Sequence, residues 1–211
     1  MGKLCHLPLL ESVLICSLVC IEVAVNLQAD EYCNLFNTSD LKLGEIMANR
    51  FTYYDSPLGT VTLQANDQGL LGVWFETHTT RPEDLGIKED SFPIFQLVVE
   101  QLDRYFTGEV IQFNVPIAAK GTTFQQSVWQ ALTTIPYGDT WSYAQLADAI
   151  GNPKAVRAVG LANGKNPVSV IVPCHRVIGK NGKLTGYAGG IERKQSLLEI
   201  EGTGEDSAPK T

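Results

Sequence analysis

The stretch SYAQLADAIGNPKAVRAVGLANGKNP, residues 142–167, narrows the fold more than any other part of the chain. Ser142 can cap one short helix and Gly151 can stop it; Asn152 and Pro153 then open a second helix, which Asn163 and Gly164 close. Two helices of this length across a tight glycine-containing turn form the helix-turn-helix pattern. The second helix is Ala, Val and Gly with Lys154 and Arg157 as its cations, so its outer side carries little bulk. Such a helix suits close approach to a duplex groove, with Arg157 inserted or stacked in place of a base. It suits burial against other helices equally well, and composition leaves both readings open.

Upstream, FTYYDSPLGTVTLQANDQGLLGVWFETH alternates β-branched and aromatic residues around the turn signals SPLG and NDQG, which predicts a β-meander of about three strands. FPIFQLVVEQLDRYFTG then places Phe95, Val98, Val99, Leu102 and Phe106 at helical spacing, and Gly108 stops it. IQFNVPIA predicts a further strand, and His78 in THTTRP is expected to be a solvated loop residue. After a linker around AAKGTT, TTFQQSVWQALTTIPYG predicts an amphipathic helix with Phe124, Val128, Trp129, Leu132 and Ile135 inward. The expected organisation is α+β: a small β-meander/helix domain over 47–118, a mainly helical domain over 121–202, and a disordered tail over 203–211.

A chain of 211 residues, 44% apolar and 18% charged, suits one or two globular domains. Its net charge of -7 hides an asymmetry. Residues 1–120 hold 7 Lys/Arg against 16 Asp/Glu, whereas residues 121–202 hold 8 against 5. Positive charge gathered in the second half is what a phosphate-contacting face needs, although +3 is a weak signal. Residues 1–46 begin like a secretory signal, but Glu11 and Glu22 interrupt the apolar run, leaving it too short to span a membrane. The expectation is an over-extended reading frame or disordered leader, with translation starting at Met47. Four of the five cysteines, at positions 5, 16, 20 and 33, fall in that leader. Cys174 therefore stands alone as a free thiol, which favours a reducing compartment such as the cytoplasm.

NPVSVIVPCHRVIG, residues 166–179, sets Cys174 beside His175. Neighbours on a regular strand or helix point apart, so either the backbone bends here or a water or third residue links the two. Pro173 removes an amide donor and ends any regular ladder just before the thiol. A nucleophilic cysteine must be a thiolate, favoured by a nearby cation or base, and His175 and Arg176 supply both kinds locally. IGKNGKLTGYAGG follows as a Gly-rich loop able to wrap a flat ligand, with Tyr187 offering a ring. IERKQSLLEIEG predicts a last helix with Leu197, Leu198 and Ile200 as core and Glu201 just before the capping Gly202, where a carboxylate could orient His175.

NPVSVIVPCHRVIG, GYAGG and LLEIEG, with FQQSVWQAL, IPYGDTWSYAQLA and GNPKAVRAVGLANGKNP, closely resemble the methylated-DNA–protein-cysteine S-methyltransferases, the O6-alkylguanine-DNA alkyltransferases. The resemblance runs from about Phe51 to Gly202 and is densest from Thr123 onward. It implies a ribonuclease H-like first domain and a winged helix-turn-helix second one, acting in DNA repair on double-stranded DNA containing alkylated bases. Cys174 matches the acceptor that takes an alkyl group from O6 of guanine, one transfer per molecule. His175 matches the base acting through a bridging water, Glu201 the acid that holds the imidazole, and Asn166 the asparagine that braces the turn. Tyr143 matches the tyrosine that helps rotate the nucleotide out of the stack and donates to guanine N3. Arg157 matches the finger filling the gap, on a helix whose Lys154, Ala155 and Ala158 face DNA in the minor groove. Val177, Tyr187, Ala188 and Gly189 would line the base pocket. The resemblance implies no cofactor, no metal and no membrane, a monomer, and a cytoplasmic place near the nucleoid. Gln195 and Ser196 stand where many relatives carry an acidic residue and Trp, which predicts looser packing of the last helix. Three competing readings differ in chemistry: a lesion-sensing binder, which lacks the acceptor cysteine; a transcription regulator using the helix-turn-helix alone; and a Cys-His-Glu hydrolase, which would turn over.

Overall fold

The computed structural model describes residues 48–110 and 112–203, so the predicted leader and nearly all of the predicted tail lie outside the described residues. The meander forms as the alternation predicts. Strands β1 (Arg50–Ser56), β2 (Gly59–Asn66) and β3 (Gly69–Phe75) pair antiparallel. The first hairpin closes with Ser56 opposite Gly59, the Ser56 hydroxyl donating to the Gly59 carbonyl at 2.6 Å and accepting from Leu58 N at 3.2 Å. A two-residue strand β4 (Ile87–Lys88) adds parallel to β1, giving the order β3-β2-β1-β4. Helix α1 (Pro93–Phe106) lays Phe95, Val98, Leu102 and Tyr105 into the core.

The segment expected to be a strand at 111–118 is not one among the described residues. It touches β3 at the single parallel bridge Leu70–Ile117, with Leu70 N donating to Pro116 O and Ala118 N to Leu70 O, both at 2.8 Å. Pro116 has no amide to extend a ladder, and the Gln101 side chain takes the place of a neighbouring strand, bonding Asn114 N at 2.7 Å and Asn114 O at 3.2 Å. Gly69, at φ +142°, lies so close to this segment that a Cβ there would fall 2.5 Å from Pro116 O. His78 also departs from expectation: it is buried. Its Nδ1 accepts from Thr80 N at 3.3 Å and lies 3.0 Å from the Thr80 hydroxyl, which accepts from Trp74 Nε1. Burial pushes the ring down to about 4, so it is neutral at pH 7.

In the second half, helix α2 (Thr123–Leu132) starts from a capping box made by Thr122 and Gln125. A short strand β5 (Trp141–Ser142) leads directly into helix α3 (Tyr143–Ala149), capped reciprocally by Ser142 and Gln145. Gly151 leaves that helix at φ +70°. Helix α4 (Val156–Gly164) begins later than Asn152 and Pro153 suggest, because Ala155 N donates to Asn152 O and closes a separate turn first. Strand β6 (Val177–Ile178) pairs parallel with β5, and helix α5 (Ile191–Ile200) ends the described chain with Leu197 and Leu198 buried. Gln195 points to solvent and bonds Glu199, while Ser196 bonds the Glu192 carbonyl within its own helix.

The edge of β3 positions the site. Val73 N donates to Pro167 O at 2.9 Å and Ser169 N donates to Val73 O at 3.1 Å, making a parallel bridge between Val73 and Val168. The segment leading to Cys174 is thus held by the backbone of the N-terminal sheet, which also protects an otherwise open edge.

Candidate active site

The apolar run Val168–Pro173 is a buried series of tight turns, with Ile171 N bonded to Ser169 O, Val172 N to Val168 O and Cys174 N to Val172 O. Val170 adopts φ +70°, unusual for a β-branched residue and a mark of local strain. Asn166 holds these turns together. Its Nδ2 donates to Val172 O at 2.9 Å, to Cys174 Sγ at 3.1 Å and to Val168 O at 3.3 Å, while its Oδ1 accepts from Val168 N at 3.0 Å. Two N–H bonds serving three acceptors must be shared, which fixes the amide plane tightly. Cys174 then opens a 3₁₀ turn through Arg176, so of the two ways to link neighbouring side chains the backbone bend is present.

His175, Arg176 and Glu201 form one buried cluster. His175 Nε2 lies 2.8 Å from Glu201 Oε1; Arg176 reaches Oε2 through Nε at 2.8 Å and Oε1 through Nη2 at 3.0 Å. Arg176 Nη1 also donates to Ile135 O at 2.6 Å. Tyr105, from α1 in the other half of the chain, donates its hydroxyl to Glu201 Oε1 at 2.8 Å, and Gly138 N reaches Oε2 at 3.4 Å. Burial alone would raise the Glu201 carboxyl, yet the His175 and Arg176 bonds and the guanidinium charge hold it down at about 2. Burial lowers the His175 pKa, opposed by Glu201 and assisted by Arg176 and Lys194. The ring is therefore neutral at pH 7, with the hydrogen assigned to Nε2 facing the carboxylate. Its buried Nδ1, which makes no hydrogen bond within the protein, is left as a base.

Arg176, expected beside the thiol, turns to Glu201 instead. The cation acting on Cys174 is Lys194, fully buried on α5, whose Nζ donates to Val177 O at 2.6 Å and Thr185 O at 2.9 Å. Burial pushes the Cys174 thiol up, while the Asn166 bond and the Lys194 charge pull it back. Burial lowers Lys194 itself to about 8, and the sulfur opposes that shift. Lys194 precedes Leu197 and Leu198 by three and four residues and so falls on the buried stripe of its helix; that spacing was the signal available for it.

Tyr143 stands at the start of α3 with its hydroxyl accepting from Thr185 Oγ1 at 3.2 Å and its ring facing Gly160 of α4, where an added Cβ would lie 3.7 Å away. Tyr187 holds its hydroxyl buried near Ser169. Gly189 is pressed between rings: a Cβ there would come within 2.8 Å of Tyr187 Cε1 and 3.0 Å of Phe75 Cδ2. Val177 is buried and Ala188 half-buried beside them. Cys174, His175, Asn166, Glu201, Val177 and Tyr143 are thus joined by direct contacts or through Lys194 and Thr185. Lys154, Arg157 and Ala158 lie exposed with Ala155 half-buried, at the start and on the outer side of α4, whose inner side buries Val159, Ala162 and Asn163. One face of this helix is thus buried, as the packing reading expects, and the other is exposed. Among the described residues no group of three His, Cys, Asp or Glu side chains could hold a metal ion, and no helix is long and apolar enough to cross a membrane.

Two family models match the chain. Residues 49–119 match the ribonuclease-like domain of 6-O-methylguanine DNA methyltransferase, and residues 123–203 match its DNA binding domain. The chain belongs to the 6-O-methylguanine DNA methyltransferase family. It is 52% identical over 147 residues to a methylated-DNA–protein-cysteine methyltransferase of Mycobacterium tuberculosis, covering 70% of this chain and 88% of that protein. A relative from Methanosarcina acetivorans is 48% identical over 155 residues, covering 72% of this chain and 98% of its own length. Among solved structures, Mycobacterium tuberculosis OGT in complex with DNA superposes with a TM-score of 0.67 at 49% identity, covering 76% of this chain and 95% of that one. Membership agrees with the α+β architecture.

Proposed function

We propose that this chain repairs DNA by taking a methyl or larger alkyl group from O6 of guanine onto Cys174, one transfer per molecule. The observation that carries this is the Cys174 thiol braced by Asn166 and followed directly by a neutral His175 whose far nitrogen is anchored on Glu201. The thiol proton passes through a water to His175 Nδ1; the sulfur attacks the alkyl carbon as its bond to O6 breaks. The departing guanine takes a proton from Tyr143 at N3, and the phenolate recovers one through water from the protonated His175, so the proton lost by the sulfur is in sum the proton gained by the base. The product is a thioether, which has no carbonyl for water to attack, and the chain is spent. The buried thiol cannot reach a base stacked in a duplex, so the nucleotide is extruded while Arg157 fills its place from the minor-groove side, with Lys154, Ala155 and Ala158 alongside. Val177, Tyr187, Ala188 and Gly189 wall the pocket. In this reading residues 47–118 and 121–202 are the two domains, the partner is double-stranded DNA carrying alkylated bases, the protein acts as a monomer, and the work is done in the cytoplasm at the nucleoid.

Incubated with a duplex holding O6-methylguanine, the protein should gain one methyl group, about 14 Da, on Cys174, saturating at one per molecule. Cys174→Ser should gain nothing. Lesion DNA left unchanged by stoichiometric protein with a reduced thiol would refute the reading, and turnover beyond one equivalent would favour a hydrolase. Arg157→Ala should slow transfer from duplex DNA about tenfold while leaving transfer from free O6-benzylguanine within twofold, because only the duplex requires extrusion. Equal loss on both substrates counts against the finger role.

A further inference from the structure

Arg193, next to Lys194 on α5, spans three parts of the molecule. Its Nε donates to Leu58 O in the β1–β2 turn at 2.8 Å. Its Nη1 donates both to Thr77 Oγ1, just beyond β3, and to Gly189 O, each at 3.0 Å. The guanidinium lies over the Phe75 ring, 5.0 Å from its centroid, and Thr77 Oγ1 itself donates to Gly189 O at 3.3 Å. Lys194 meanwhile holds Thr185 O. Consecutive residues of one helix therefore grip the two ends of the 185–189 loop. Beside the Gly189 end lies a hollow of about 610 Å³ lined by Leu58, Thr77, Gly189, Arg193 and Ser196.

We propose that Arg193 is a positioning residue that locks the Gly189 end of this loop to the N-terminal sheet, so that the half of the chain away from the helix-turn-helix sets the fit of the pocket. The inference rests on the reading of Tyr187, Ala188 and Gly189 as the wall of an alkylguanine pocket. A flat base is held by loop atoms placed at van der Waals distance, and a loop free to withdraw binds it more weakly without altering the sulfur's chemistry. The planar fork meets Leu58 O through Nε and Gly189 O through Nη1, two nitrogens held at a fixed spacing, whereas a lysine would have to serve both carbonyls from a single nitrogen.

The test is the saturation curve for single-turnover transfer from free O6-benzylguanine. Arg193→Met and Arg193→Lys should each raise the half-saturating concentration about tenfold while the limiting rate stays within twofold. Thr77→Val, which removes one partner of the latch and keeps the fold, should raise it about threefold and add little on top of Arg193→Met, because the two act through the same carbonyl. Amide exchange at residues 186–190 should quicken in the same variants. A half-saturating concentration unchanged in Arg193→Met and Thr77→Val overturns the latch, as does a fall confined to the limiting rate, or full rescue by lysine. Wild-type protein that does not react with O6-benzylguanine overturns the alkyl-transfer reading and this inference with it, whereas reactive wild type with unaltered variants overturns the latch alone.

Discussion

Glu201→Gln should cut the rate of alkyl transfer by about 10²- to 10⁴-fold and destabilise the protein by about 3 to 5 kcal/mol. The carboxylate accepts from His175, Arg176, Tyr105 and Gly138, and an amide in its place presents a donor to one of them. With an amide N–H facing Nε2, the imidazole must shift its hydrogen to Nδ1, the nitrogen that has to receive the thiol proton. Arg176 is then left as a buried cation without its counter-charge, which is the larger structural loss. The pH dependence identifies the cause. The folded carboxyl sits at about 2, below its ordinary 4.5, so its stabilising effect is complete above 4.5 and is lost as pH falls toward 2. Chemical denaturation followed from pH 6 to 3 should show wild type losing stability on this limb and Glu201→Gln losing much less. Parallel curves would remove Glu201 from the centre of the cluster.

Asn166→Ala should slow transfer at neutral pH by about 10²-fold and cost about 2 to 4 kcal/mol, because four buried contacts lose their partner together. The rate effect has a specific origin. Burial opposes ionisation of Cys174, and the Asn166 N–H is the first of the groups that oppose burial. Removing it should move the midpoint of Cys174 alkylation by iodoacetamide to higher pH, so that raising the pH of the transfer assay restores part of the lost rate. An alkylation midpoint that stays in place would mean that Asn166 supports the backbone only.

Much of this was readable from the sequence where the signal is local. Ser142 with Gln145 and Thr122 with Gln125 form capping boxes that start their helices where expected. The alternation in residues 51–78 forms its three strands. Cys174, His175 and Glu201 were picked out by their neighbours in the chain, and Pro173 already indicated a bend. What the sequence hid is long-range. Tyr105 was not among the positions read as the inward stripe of its helix, and nothing in the helix points to a carboxylate 96 residues away. Arg176 looked like the thiol's cation because it is near in sequence, but a fork of three nitrogens is better satisfied by Glu201 and Ile135 O. His78, polar and set among threonines, looked exposed; Trp74 and Thr80 close over it. The strand expected at 111–118 failed because Pro116 has no amide to extend a ladder and the Gln101 side chain takes the backbone of Asn114.

The parallel bridge between Val73 and Val168 makes the N-terminal sheet a ruler for the reactive sulfur. A two-residue slip in the hairpin of β2 and β3 would move the carrier of Pro167 by about 7 Å, more than twice the reach of the Asn166 amide. Molecules misregistered there would retain both helices of the helix-turn-helix and still clasp DNA, yet be chemically mute. Fidelity in assembling a sheet remote from that motif is thus a condition for every lesion removed.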